Sequence, residues 1–384
     1  MKYYIIAGEA SGDLHGSNLI NQIKLKDTTA EIRFWGGDLM QNTGAILVKH
    51  YRELAFMGFV EVIKNLPTIF RNLSFCKLDI LEFNPDVLVL IDYPGFNLRI
   101  AHWAKQQKIK IAYYISPQVW AWKANRVKQM KKDIDKMICI LPFEKDYYKN
   151  VWNWNVEYVG HPLTEVVNEF LVSSSWFNKN ENKNILQPDS SNEKQEIRNL
   201  IAILPGSRKQ EITKKLPIML SVAKHFTDYE FVVAKAPGVE DEFYQPFFKN
   251  YPNVSSVSNQ TYSLLSKSSA ALVTSGTATL ESALFAVPEV VCYKANNISY
   301  QIGKRVVKIK FISLVNLIMD KLVVKELIQD ELTTENIKDE LEELLFNEER
   351  KLQLKHDYKE LWNKLYTDGS PSEKAATIIY NMIK

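Results

Sequence analysis

Cysteine is scarce in this chain. Its 384 residues include three, Cys76, Cys139 and Cys292, too far apart for a CxxC pair or a zinc knuckle. So sparse and odd a count excludes a disulfide scaffold and fits a reducing compartment. An excess of one charge is missing too. The 48 basic and 45 acidic residues leave a net +3, which excludes a dedicated nucleic-acid coat, so no nucleic-acid partner is expected. No run approaches the ~20 apolar residues that cross a bilayer, so any membrane contact is peripheral. The first strand starts at Tyr3, which leaves no room for a leader peptide and gives a cytoplasmic expectation. The histidines form no HxxH or HExxH pattern and the acids lack metal-ligand spacing. No metal and no other cofactor is expected.

What the chain does have is a repeated α/β grammar. Short β-branched runs end in glycine-bearing turns and are followed by helical patterns. A chain this long exceeds one core, so two domains are expected. The first is read as residues 1–163. Its strands include Tyr3–Ala7, Ile32–Trp35, Val87–Ile91 and Ile109–Ile115. The second is read as 164–364, with strands at Leu200–Leu204, Glu230–Ala234, Val254–Val257, Ala270–Thr274 and Pro288–Tyr293. Apolar character on both faces makes the sheets mainly parallel. Residues 178–198 form a polar insert, read as an exposed loop.

The central stretch is Asn199–Arg208, an apolar strand that breaks at Pro205–Gly206 and presents Ser207 and Arg208. Strand, tight turn and helix make an anion site at the carboxyl end of a sheet. Ser275–Gly276–Thr277, followed by Glu281, repeats the arrangement. Backbone donors there suit a diphosphate, Arg208 offers a two-pronged fork, and Glu281 is placed to accept from sugar hydroxyls. A helix cap is the plainer reading of Thr277 and Glu281. No lysine follows glycine as in a Walker loop, and Gly8–Asp13 has too few spaced glycines for a dinucleotide fingerprint.

Glu9, Asp13 and Asp92 are acids at strand ends of the first domain. Each is a candidate general base, and Asp92, just past the most apolar strand, is favoured. A carboxylate is ordinarily ionised near neutral pH. Asp13 has N-capping of a helix as its alternative. His161, between Gly160 and Pro162, is read as either a phosphate contact or a hinge filler. Residues 54–75 carry large apolar groups, among them Phe56, Met57, Phe59, Phe70 and Leu73. A basic helix read as Lys123–Asp135 follows Trp120 and Trp122. With Lys136 just beyond it, Lys123, Arg126, Lys128, Lys131 and Lys132 form one basic face. Together the two sets suggest a surface for anionic lipid; a buried core helix and an ordinary solvated face are their alternatives.

Set side by side, these stretches resemble lipid-A-disaccharide synthases. The matching segments are AGEASGD at Ala7–Asp13, MGFVEV at Met57–Val62, IDYPGFN at Ile91–Asn97 and SPQVWAW at Ser116–Trp122. They continue as VGHPL at Val159–Leu163, LPGSR at Leu204–Arg208, SGTATLE at Ser275–Glu281 and NLI at Asn316–Ile318. The chain departs at Tyr93 and Gly95 and in the insert 178–198. The resemblance implies an α/β glycosyltransferase B fold, two Rossmann-like domains with parallel sheets facing an interdomain cleft, and a C-terminal helix at 365–384 completing the first. It implies that the first domain binds 2,3-diacylglucosamine 1-phosphate (lipid X). The second would bind the UDP of UDP-2,3-diacylglucosamine, with Asn316 added to the donor set. The implied products are the β-1,6-linked tetraacyl disaccharide 1-phosphate and UDP, formed without a metal at the anionic cytoplasmic face of the inner membrane. A homodimer is one assembly the resemblance admits. Two rival classes share the layout: a nucleotide-sugar epimerase and a non-catalytic membrane adaptor.

Overall fold

Val87–Ile91 reads VLVLI, and all five side chains are buried, which requires a strand covered on both faces. The structure is a computed structural model that describes residues 1–53, 66–173, 199–296, 300–301 and 309–384. The chain divides into two compact units, Met1–Pro162 with Leu365–Lys384, and Leu163–Lys364.

The first unit is built on seven parallel strands: β1 (Lys2–Ala7), β2 (Glu31–Gly36), β3 (Ile46–His50), β4 (Val87–Ile91), β5 (Lys110–Tyr114), β6 (Lys136–Cys139) and β7 (Glu157–Tyr158). Their order is β3-β2-β1-β4-β5-β6-β7. Helices α1 (Ala10–Lys26), α2 (Asp38–Asn42), α3 (Leu66–Phe83), α4 (Pro94–Gln106), α5 (Val127–Asp133) and α6 (Pro142–Trp152) connect them. Tyr4, Trp35, Cys76, Phe96, Ile100 and Tyr113 belong to one buried cluster between the sheet and its helices.

The second unit opens with α7 (Pro162–Ser173). It continues through β8 (Leu200–Leu204), α8 (Lys209–Ser221), β9 (Glu230–Lys235), α9 (Asp241–Phe248), β10 (Val254–Ser258), α10 (Thr261–Leu265) and β11 (Ala270–Thr274). Then come α11 (Thr277–Leu284), β12 (Glu289–Tyr293), α12 (Leu314–Met319), β13 (Lys325–Ile328), α13 (Thr334–Phe346) and α14 (Glu348–Leu365). Its six strands run parallel in the order β10-β9-β8-β11-β12-β13. The last helix, α15 (Pro371–Ile383), belongs to the first unit. Ala375, Ala376 and Ile379 are fully buried there; small residues let α15 approach closely. Lys26 pairs with Glu373 at 3.4 Å, and Lys110 Nζ donates to the Met382 carbonyl at 2.7 Å.

Two strands escape the sequence reading. β3 has no fully buried residue and β13 has only four residues; both are edge strands, where burial leaves a weak pattern. The basic helix is also shorter than read. Residues Ala124–Arg126 form a 3₁₀ turn, α5 spans only Val127–Asp133, and Lys136 belongs to β6.

Candidate active site

In an open parallel sheet the ligand crevice lies where strand order reverses, because neighbouring loops there leave in opposite directions. In the first unit that point falls between β1 and β4, which pair from Tyr3↔Val87 to Ala7↔Ile91. The loops leaving it carry Glu9 and Asp92. Asp92 and Tyr93 both adopt left-handed backbone, with φ of 41° and 49°, at a cost of about 1–3 kcal/mol each. Three hydrogen bonds hold the bend. Asp92 N donates to the Tyr114 carbonyl at 3.0 Å, and the Asp92 carbonyl accepts from Tyr113 OH at 2.6 Å and Asn97 Nδ2 at 2.8 Å. The Tyr93 ring then lies against Gly8, where an added Cβ would sit 2.3 Å from Tyr93 Cγ. Tyr93 in this position therefore requires glycine at residue 8.

Asp92 itself is half-buried in this packed loop. Burial, followed by the charge of nearby Glu9, pushes its pKa from 3.8 to about 7. This corrects the expectation of a carboxylate already ionised at neutrality, since near pH 7 about half of it is protonated.

In the second unit order reverses between β8 and β11, paired through Val273↔Leu204. Pro205–Arg208 leaves one strand and Ser275–Thr277 the other. Gly206 has φ +116°, and a Cβ there would lie 2.6 Å from Glu211 Oε2. Gly276 has φ +143° with open space around it. Neither α8 nor α11 has a side-chain cap; Glu211 N and Thr279 N turn back to the Arg208 and Gly276 carbonyls, and the N–H groups ahead of them can meet an anion. Ser207, Arg208 and Thr277 are exposed, and Arg208 makes one loose pair with Glu211 at 3.4 Å. Ser275 Oγ donates to the Ile312 carbonyl at 2.8 Å, which leaves its lone pairs and backbone for other contacts. Glu281, one turn into α11, accepts a 3.4 Å hydrogen bond from Tyr262 OH, and burial raises its pKa from 4.5 to about 7.

The sequence reading missed Lys215. The inward face of α8 is marked by Ile212, Leu216, Met219 and Leu220, and Lys215 falls on it, almost fully buried. That placement was the available signal. Its ammonium donates to Thr274 Oγ1, at the end of β11, and lies 3.7 Å from Glu211. Burial lowers its pKa. The lysine links the β8 loop to the β11 loop from beneath. Asn97 was also overlooked as an individual residue: fully buried, it reaches the carbonyls of Ile91 and Asp92 and ties down the Asp92 bend.

Several expected site residues have other work. Asp13 is buried, and its carboxylate accepts from the backbone N–H of Gly37, Leu39 and Met40 at 2.7–3.1 Å. It caps α2, the helix after its own, and has little capacity left to take a proton. Asn316 is fully buried with both ends used. Nδ2 donates to the Val324 carbonyl and Glu326, and Oδ1 accepts from Val323 N and Val324 N. It staples α12 to β13 and has nothing left for a donor sugar. Leu73 is 6% exposed and sits in the core, whereas Phe70, on the same helix, is 61% exposed. Trp120 is held inward by its Nε1–H bond to Glu144 at 3.2 Å and by the edge of Phe143 at 4.9 Å; Trp122 is the exposed one. The basic face is broken. Lys131 caps the end of α6 through the Trp152 and Asn153 carbonyls, and Lys136 pairs with Glu157. His161 is buried and kept neutral, its pKa lowered to about 3 by burial and then by His15, so it fits a packed turn, not a phosphate contact. Phe56, Met57, Phe59 and the insert 178–198 lie outside the described residues.

Among the described residues, one group of histidine and acids is close enough to hold a metal, His356, Asp357 and Glu360 on α14. Lys321 Nζ already sits 2.8 Å from Asp357 and 3.2 Å from Glu360, supplying the cation there.

Two parallel Rossmann-like sheets, each with its polar loops at the switch point, define a glycosyltransferase B architecture. Solved structures share it. UDP-GlcNAc 2-epimerase from Neisseria meningitidis matches with TM-score 0.61 at 15% identity, covering 100% of this chain and 99% of that one. The glycosyltransferase of kitacinnamycin matches with TM-score 0.64 at 13% identity, covering 100% and 99%. Such identities speak for the fold alone. Family comparison is more specific: the lipid-A-disaccharide synthetase family model matches residues 3–379. Lipid-A-disaccharide synthase of Syntrophus aciditrophicus is 35% identical over 99% of this chain and 97% of its own length. The Geobacter metallireducens enzyme is 34% identical over 99% and 96%. The chain belongs to the lipid-A-disaccharide synthase family. It is a glycosyltransferase that transfers 2,3-diacylglucosamine from UDP-2,3-diacylglucosamine to 2,3-diacylglucosamine 1-phosphate, yielding the lipid A disaccharide 1-phosphate and UDP.

Proposed function

We propose that the first unit receives the acceptor, with Asp92 as general base, and that the second holds the UDP-sugar. The observation that carries this reading is the Asp92 carboxyl at the first switch point, with its pKa pushed to about 7 beside Glu9. A sugar hydroxyl is a poor nucleophile until its proton leaves. As the acceptor oxygen bonds to the anomeric carbon, the hydroxyl proton passes to Asp92 and the bond from that carbon to UDP breaks on the opposite face. Asp92 is preferred to Asp13, whose lone pairs are engaged by three backbone donors. Glu9 supports it by raising its proton affinity.

On the donor side, the Gly206–Ser207 and Ser275–Thr277 backbones cradle the diphosphate, and Arg208 exchanges Glu211 for the leaving group. Glu281, oriented by Tyr262, accepts from the ribose hydroxyls. Lys215 contributes positive charge from beneath and keeps the two loops in register. Membrane association is peripheral: no helix among the described residues is long and apolar enough to cross a bilayer. The exposed side chains of α3, with Trp122, Lys123 and Arg126, are the contact for an anionic inner-membrane surface.

The test is Arg208→Ala, assayed for UDP release with both lipid substrates saturating. Loss of one charge-assisted contact to a developing anion should cut turnover by about 10²–10³-fold. Turnover near the unaltered level removes Arg208 from the leaving-group role.

A further inference from the structure

Immediately behind the Asp92 bend a cavity of about 370 Å³ opens between α4 and α5, beginning at Pro94 and Gly95. Its floor is apolar, with Leu98, Ala101, Met130 and Ile134 along it. Its far end is closed by Asp133, whose carboxylate is already occupied by His102 at 3.2 Å and Gln129 at 2.9 Å. Arginines outnumber that one carboxylate around the cavity. Arg99 and Arg126 line it, and a smaller adjoining pocket shares Pro94 and Arg126 and adds Trp122 and Lys123.

The three cations crowd one another. Desolvation and the charges of Arg126 and Arg99 all lower the pKa of Lys123. Lys123 Nζ lies over the Trp122 ring at 4.0 Å, and Arg99 donates to the Gly95 carbonyl. Among the described residues, no carboxylate pairs with any of the three. Like charges held together without a counter-ion are unfavourable, and a phosphate would relieve that cost. The volume is at the low end for small-molecule sites, with room for one hydrocarbon chain along the apolar floor.

We propose that this cavity is the acyl site of the acceptor: one acyl chain lies along Leu98, Ala101, Met130 and Ile134 while the sugar 1-phosphate sits among Arg99, Lys123 and Arg126. The proposal rests on the assignment of the first unit to the acceptor and adds to it a determinant of chain length. The phosphate anchors one end of the ligand and the floor measures the chain that leaves it. The cavity's start at Pro94, two residues past Asp92, keeps the anchored sugar close to the base.

The experiment measures direct binding of 2,3-diacylglucosamine 1-phosphate to the full chain over a series of acyl lengths, together with acceptor and donor KM. For the unaltered protein, each methylene that enters the cavity should tighten binding about fourfold. Leu98→Trp, which fills the groove, should flatten that dependence and leave donor KM within about twofold. Arg99→Ala combined with Arg126→Ala should weaken the phosphorylated acceptor at least about tenfold and its dephosphorylated counterpart much less. Both arginines are surface-accessible, so this arm survives if Leu98→Trp does not fold, as does the milder Leu98→Ala, which should weaken long chains. Chain-length dependence that persists unchanged in the Leu98 variants overturns the acyl site while the acceptor assignment stands. Variants that lose binding to anionic vesicles but keep acceptor affinity overturn it too, in favour of bulk lipid. An unaltered protein that binds no acceptor overturns both.

Discussion

A base that must take a proton near neutrality works best with a pKa near the working pH, and Asp92 is moved there by burial and by Glu9. The rate consequence has a definite sign. Only the ionised form accepts a proton, so kcat/KM should rise with pH along a limb centred at about 7 and level off above it; a limb near 4 would return the base to an ordinary exposed acid. Stability moves oppositely. The folded pKa of about 7 lies above the unfolded 3.8, so the native state retains a proton that the unfolded chain has lost. Stability should fall as pH climbs from about 4 to about 7, with the whole cost present above 7. Asp92→Asn should therefore gain thermal stability relative to the parent at pH 8 and not at pH 4, as thermal unfolding at both values would reveal. Lys215 calls for the opposite kind of test. A buried ammonium is costly, so Lys215→Met should leave the unfolding temperature unchanged or raise it while turnover drops at least roughly tenfold; parallel losses of both would make it a purely structural group. Position just past a strand end nominated Asp92 and Arg208, and the turn into the next helix nominated Glu281. Such placement equally implicated Asp13, because a capping carboxylate and a reacting one look alike until their partners are known.

At the scale of elements, what the sequence carried was the pairing of glycine turns with apolar strands. It did not carry strand order, yet order gives the loops their meaning: Glu9 with Asp92, and Arg208 with Thr277, flank the two reversals. Register between non-adjacent strands is a long-range property with no local pattern. Helix α3 is a case where local pattern was ambiguous. Its apolar residues surround the axis, so sequence alone could not separate Leu73, in the core, from Phe70, Phe75, Leu78 and Leu81, outside it. Phe70 and Leu78 are 61% and 68% exposed and lie two turns apart on one side. Replacing both with serine should reduce binding to anionic liposomes severalfold without lowering the unfolding temperature, since neither fills the core. Undiminished liposome binding by the folded variant would remove α3 from the membrane contact. Asn316 misled for a related reason. Its motif resembles the family's, but a buried amide with all four hydrogen-bonding positions satisfied holds α12 against β13.

At the scale of the molecule, the chain is two units joined twice, at Pro162–Leu163 and at Lys364–Leu365. The acceptor chemistry is assigned to the unit closed by α15, and the nucleotide to the other. This division is the central claim, because it predicts that reaction and nucleotide affinity can be lost separately. The most direct measurement is turnover with both lipid substrates beside UDP affinity, made on Asp92→Asn. The amide keeps the shape of the carboxyl but cannot accept the proton. Turnover should fall about 10²–10⁴-fold, the range general-base catalysis supplies, while the Kd for UDP stays within about twofold of the parent. Near-normal turnover in the folded variant, or a loss of UDP affinity that matches the loss of turnover, would contradict the account.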